Sequence, residues 1–187
     1  MNILKNKTFV IILSVLIVLG SWFGIGVMKT TKEANKVKAV YLNGEDNDNI
    51  SIANDLAVRE SCAQNLATLG AKYLSSSETG SISSINKLIT EMKKETDLTE
   101  LSKLNDQLTE EVGILTDKLG EKELTSENKD SLDEQLSIFT NKGNTILYDN
   151  YNVYVQSYKK KTSDPVFSFF THFAPKVEYF RSWKSSY

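Results

Sequence analysis

The chain of 187 residues has one cysteine, one histidine, two prolines and nine glycines. A single cysteine, Cys62, makes an internal disulfide impossible, so cysteine usage does not identify a compartment. So few prolines and glycines favour long regular elements over a loop-rich β fold. No Cys/His spacing suits zinc. There is neither a G-x-S-x-G elbow nor an S-x-x-K pattern, and no glycine loop that would cradle phosphate. His172, in FFTHFAP, is the only candidate base for a hydrolase, and Cys62 reads as a small buried side chain. "NGEDNDN" (Asn43–Asn49) looks like a calcium loop, but Asp46 and Asp48 lack the glycine at the sixth position and the glutamate at the twelfth. The expectation is a non-enzyme without metal or cofactor.

Positive charge is also short where a polyanion would need it. Residues 1–40 carry six lysines and one glutamate, +5, whereas residues 41–187 carry sixteen Lys+Arg against twenty-three Asp+Glu, −7. An acidic soluble part argues against nucleic acid, whose binding depends on a basic face that releases counterions.

The chain does have one long apolar run. Thr8–Met28 contains no charge, and its twenty-one residues reach roughly 30 Å as a helix, the thickness of a bilayer's hydrocarbon core. A core helix seldom runs so far without a charged side chain. A cleaved signal peptide would have a shorter apolar stretch and small residues where Trp22, Phe23, Ile25 and Met28 stand. No cysteine ends the run, so a lipoprotein anchor is excluded. An uncleaved single-pass anchor is expected. Lys5 and Lys7 on one side nearly balance Lys29, Lys32, Lys36 and Lys38, opposed by Glu33, on the other. That balance slightly favours a cytoplasmic C-terminal part, whereas a first apolar segment behind a short basic tail favours the opposite, and an extracytoplasmic soluble domain is expected. Gly20 and Gly24 form a G-x-x-x-G through which two copies could approach.

Beyond the anchor the pattern is helical. Lys29–Leu42 extends the helix into water, and Asn43–Asn49 breaks it with Asn49 as the next N-cap. In 50–73, Ile52, Leu56, Ala63, Leu66, Leu69 and Tyr73 recur at helical steps. Ser75–Ser81 reads as a loop. Ile82, Ile85, Leu88, Ile89 and Met92 form one stripe; Leu98, Leu101, Leu104, Leu108, Val112, Leu115 and Leu119 form another, begun by Asp97 with Glu100 and ended by Gly120. From Leu132 one uninterrupted helix is expected through Leu136, Phe139, Ile146 and Leu147 to Tyr158, with Tyr148, Tyr151, Tyr154 and Tyr158 as a packing ridge. Lys159–Lys161 suit its C-terminus and Asp164-Pro165 stops it.

The expected architecture is all-α, an N-terminal transmembrane helix followed by an antiparallel helical bundle. Its parts are a basic tail (1–7), the transmembrane helix (8–28), a juxtamembrane extension with an acidic turn (29–49), the bundle (50–161) and an aromatic-rich tail (162–187). That tail either folds back to cap the bundle or offers an apolar platform to a partner or the membrane surface, where Arg181 and Trp183 would suit headgroups.

Tyr151-Asn152, Val155 and Tyr158, then Pro165, Phe167, Phe169, Phe170, Phe173 and Ala174, and finally Tyr179-Phe180 form a pattern that resembles the LemA family of bacterial membrane proteins. Leu132, Glu134 and Leu136 precede it, and Asn65-Leu66 with Tyr73 matches the family's first soluble helix. The chain departs from the family at Tyr158-Lys159, where a second Tyr-Asn pair belongs. It also lacks the arginine-rich run before the Asp-Leu-Ile-Pro-Asn-Leu signature, which is reduced here to Asp55-Leu56 and a displaced Asn65-Leu66. The resemblance implies a membrane-anchored bundle and brings no catalytic residues. The leading expectation is an adaptor or scaffold at the cell envelope contacting an unidentified envelope protein. Its candidate binding residues are Tyr151, Asn152, Tyr154, Tyr158, Phe169, Phe170, Phe173, Tyr179, Phe180 and Trp183. The alternative is a tethered sensor holding a ligand or peptide by the tyrosine ridge with Asn150 or Asn152.

Overall fold

A computed structural model describes residues 7–45 and 50–180. All regular structure among them is helical: α1 Lys7–Asn43, α2 Ile52–Tyr73, α3 Gly80–Met92, α4 Leu98–Gly120, α5 Ser126–Leu147, α6 Tyr151–Lys161 and α7 Pro165–Thr171. Asp46, Asp48 and Asn49 of the acidic turn, and Arg181 and Trp183 of the tail, lie outside the described residues. The chain divides into two compact units, Met1–Lys38 with Tyr154–Val177 and Ala39–Val153 with Glu178–Tyr187.

The second unit is a helical bundle centred on α2, which packs against α3, α4 and α5, while α3 packs against α4. Side-chain pairs give the directions. Asp55 meets Lys142, Asn65 meets Gln135 and Tyr73 meets Asn128, so α2 and α5 run antiparallel. Glu78, just before α3, meets Lys122, just after α4, so those two are antiparallel as well. The apolar stripes form the core: Leu56, Ala63 and Leu66 of α2, Ile85, Leu88, Ile89 and Met92 of α3, Leu108, Val112, Leu115 and Leu119 of α4, and Leu132, Phe139 and Ile146 of α5 are buried. Gly70 lets α2 and α4 approach, since a Cβ there would lie 2.8 Å from Leu115.

Helix ends follow local chemistry. Asp97 caps α4 as its spacing predicts, accepting from the Thr99 and Glu100 amides at 2.9 and 3.1 Å, and Gly120 is its last residue. The cap of α2 is Ser51 rather than Asn49. Its hydroxyl oxygen accepts from the Asn54 amide at 3.2 Å, so the helix starts at Ile52. The loop expected over Ser75–Ser81 is shorter, because α3 already begins at Gly80.

The expected continuous helix from Leu132 to Tyr158 is broken. α5 closes at Leu147, and α6 opens at Tyr151, whose amide donates to the Asp149 carboxylate at 2.6 Å. Asp149 thereby offers the chain a local turn in place of the helical ladder. Tyr148 falls in the break and is 81% exposed, so it does not belong to the packing ridge.

In the first unit, α1 runs unbroken through the whole apolar segment. Nearly all of that segment is exposed. This is one helix long and apolar enough to cross a membrane. Burial begins at Gly26, Thr30, Ala34 and Val37. In the same unit Glu33 holds Lys36 at 2.7 Å and Lys161, the last residue of α6, at 3.0 Å. Asp164-Pro165 does stop one helix but also starts another. The Asp164 carboxylate accepts from the Val166 amide at 2.9 Å and Pro165 occupies the first position of α7, where a missing N–H costs nothing.

Candidate functional site

Tyr151 and Asn152 stand in the first turn of α6, a position fixed by the Asp149 cap. The Asn152 amide nitrogen donates to the Phe180 carbonyl at 2.6 Å, and its amide oxygen accepts from the Phe180 N–H at 3.0 Å. The Tyr151 hydroxyl donates to the Glu178 carbonyl at 2.8 Å, and the Thr99 hydroxyl to the Tyr179 carbonyl at 3.5 Å. Residues 178–180 are non-helical and gain from side chains the backbone partners a neighbouring strand would supply. Phe180 is buried beneath them, and the Tyr41 ring lies 5.6 Å from that of Tyr151. Burial, with Glu60 nearby, pushes the Tyr41 hydroxyl up to about 12, and burial raises that of Tyr151 further.

Four expected site residues, Tyr151, Asn152, Tyr179 and Phe180, therefore meet in one clamp on the chain's own tail. The clamp was not foreseen. Its signal was present: a primary amide offers one donor and one acceptor side, which matches the N–H and C=O of an extended residue. Tyr154 and Tyr158 belong to the first unit; Tyr154 is 39% exposed, and Tyr158 is buried with no hydrogen-bond partner for its hydroxyl.

A second constellation was missed altogether. Arg59 sits in the apolar stripe of α2, between Leu56 and Ala63, and is buried. Its Nε donates to Asn105 at 2.9 Å, Nη1 to the Phe139 carbonyl at 2.8 Å and Nη2 to the Thr109 hydroxyl at 2.5 Å. The guanidinium carbon lies 3.8 Å from the centre of the Phe139 ring. Burial draws Arg59 down to about 10. Gly143 leaves the room it occupies, since any Cβ there would collide with Nη1. A cavity of about 430 Å³ beside it is also lined by Asp106 and Glu110, which disfavour an anionic ligand. This group ties α2, α4 and α5 together. Cys62 is buried as expected, and burial raises its thiol. His172 is exposed, its Nδ1 3.2 Å from the Phe169 carbonyl.

The third constellation lies in the first unit. α7 packs against α1 through Phe170, whose ring centre lies 5.1 Å from Trp22 and 5.9 Å from Phe23. Phe173 and Phe169 approach Phe23 at 5.2 and 6.2 Å. Phe170 fills the notch over Gly26, where a Cβ would lie 2.6 Å from the ring's Cε1. Phe170 is buried, while Val166, Phe167, Phe169 and Phe173 present apolar surface outward. A cleft of about 480 Å³ next to this helix is lined by Lys29, Thr30, Lys32, Glu33, Lys161, Thr162 and Phe167.

Comparison with protein-family models, with curated proteins and with solved structures returns no match.

Proposed function

We propose that this chain is a single-pass, non-enzymatic membrane protein of LemA type that serves as an adaptor or scaffold at the cell envelope, with its bundle on the extracytoplasmic side. The observation that carries the reading is the exposure of the apolar half of α1, nearly all of whose apolar side chains lie open to the surroundings. The meeting of Tyr151-Asn152 with Tyr179-Phe180 supports reading the two matching motifs as one device. Gly20 and Gly24 have open space around them, and by helical geometry they lie roughly opposite Trp22 and Gly26, where α7 packs. A second copy can therefore use that face. Crosslinking the intact protein in native membranes should capture one defined envelope protein or a second copy. Release of the chain by alkaline carbonate, or no crosslinked species, would count against the reading. Protease access to the bundle in spheroplasts tests its sidedness.

One observation favours the second reading, a peptide-binding sensor. The clamp on Glu178–Phe180 holds mostly backbone, and such a groove accepts an extended peptide of varied sequence. Binding of a synthetic 174–187 peptide to the Phe180→Ala chain would favour it.

A further inference from the structure

We infer that α7 is a membrane-interface helix: its outward aromatic face rests in the headgroup–acyl boundary, and the lysines beside it meet anionic phospholipid. The inference rests on α1 residing in lipid. Four observations within the first unit carry it.

The aromatic face is continuous with the anchor. Phe169, Phe170 and Phe173 pack on Trp22 and Phe23, residues well inside the charge-free run. α7 thus joins the apolar surface that a bilayer must cover. The depth also agrees. Gly26, Phe23 and Trp22 precede Lys29 by three, six and seven residues, so the ring contacts lie about 4 to 11 Å inside the level that Lys29 marks. Interfacial helices bury their apolar faces by about 5–10 Å.

Polar groups are settled within α7 and its closing turn. The Ser168 carbonyl accepts from the Thr171 hydroxyl at 2.7 Å, and the Phe173 and Ala174 amides bond back to Phe170 and Thr171 at 3.1 and 3.2 Å. A short helix tied off in this way brings few unmet backbone groups to the boundary. Finally, the adjoining surface is cationic. Lys29, Lys32, Lys36 and Lys38 of α1 and Lys159, Lys160 and Lys161 of α6 are all exposed, and Glu33 is neutralised by Lys36 and Lys161. The cleft lined by Lys29, Lys32, Glu33, Lys161 and Phe167, with Glu33 held by Lys36 and Lys161, leaves Lys29 and Lys32 beside an aromatic wall, as a phosphate headgroup and its first methylenes require.

The test uses the full chain in liposomes of phosphatidylcholine with phosphatidylglycerol. Trp22→Phe and Trp183→Phe remove the native tryptophans. Leu16→Trp then reports on the anchor, and Phe169→Trp or Phe173→Trp on the α7 face. Lipids brominated near the chain ends should quench Leu16→Trp. Lipids brominated near the headgroup should quench both α7 reporters at least twofold, and brominated phosphatidylglycerol should do so more than brominated phosphatidylcholine. That preference should disappear when Lys159, Lys160 and Lys161 are all replaced by glutamine. If Leu16→Trp is quenched while both α7 reporters stay unquenched with water-like emission, the anchor stands and this inference falls. If Leu16→Trp is itself unquenched, the anchor reading fails and carries this one with it. Equal quenching by the two brominated lipids would overturn the anionic preference.

Discussion

Asn152 holds Phe180 by both edges of its amide, 2.6 Å to the carbonyl and 3.0 Å from the N–H, across 28 positions of sequence. Asn152→Asp keeps the acceptor but turns a second oxygen toward the Phe180 carbonyl. The loss of one part-buried hydrogen bond, with repulsion in its place, should cost about 1–3 kcal/mol locally. Hydrogen exchange at the Phe180 amide should accelerate tenfold or more while amides in the core of α4 keep their protection. Unchanged exchange would show that Phe180 burial alone holds the tail.

Arg59 makes three hydrogen bonds to partners 46, 50 and 80 residues away. Lysine cannot reproduce that fork, so Arg59→Lys should destabilise the bundle by about 3 kcal/mol. Gly143→Ala should also be costly, because its methyl collides with the guanidinium. The double variant should lose clearly less than the sum, since both changes disturb one contact. Thermal melts followed by circular dichroism supply the cycle, and strict additivity would refute the coupling.

The contrast between these two sites explains what the sequence could and could not say. Apolar stripes were readable because burial imposes the helical period on every bundle helix, and Asp97 was readable because its partners are two and three residues away. Arg59 was not, because its partners are remote and its position read only as a skipped step between Leu56 and Ala63. The break after Leu147 was hidden for another reason. Tyr148, Tyr151, Tyr154 and Tyr158 keep helical spacing straight across it, while the deciding interaction is the Asp149 carboxylate on one amide. Of the candidate binding residues, the tyrosine-asparagine and terminal tyrosine-phenylalanine pairs were visible as motifs; their contact, a long-range one, was not.

Phe170 and Gly26 fit as ring and notch. Gly26→Val should push the ring off α1 and loosen α7, removing the edge contact between Phe170 and Trp22. In a Trp183→Phe background the emission of Trp22 should change, and Gly24→Val, with open space around it, should leave it unaltered. Identical spectra for both variants and the parent would contradict the packing.

Glu78 binds Lys122 at 2.6 Å and accepts from Ser75, and these partners hold its carboxyl down at about 2 against an ordinary 4.5. A depressed carboxyl stabilises the fold only while ionised. Its contribution is therefore complete above pH 4.5 and is lost as pH falls from 4.5 toward 2. Glu78→Gln should melt lower than the parent at neutral pH, and the gap should close across that acid window. A constant gap would mean that the side chain acts through shape rather than charge.

Tyr158 separates the two functional readings. Its hydroxyl is buried with no hydrogen-bond partner, a state that costs about 1–3 kcal/mol relative to solvation. If Tyr158 only packs, Tyr158→Phe removes the stranded hydroxyl and keeps the ring, so the variant should be as stable as the parent or more so by about 1 kcal/mol. Tyr158→Ala should instead lose about 3 kcal/mol, as a large cavity opens. If the hydroxyl awaits a ligand, Tyr158→Phe stays folded yet no longer gains stability from whatever ligand raises the parent's melting temperature. Thermal shift of the parent and the Phe variant against the same extract or peptide pool reads both outcomes. A parent that is stabilised beside a Phe variant that is not would move the function from scaffold to sensor.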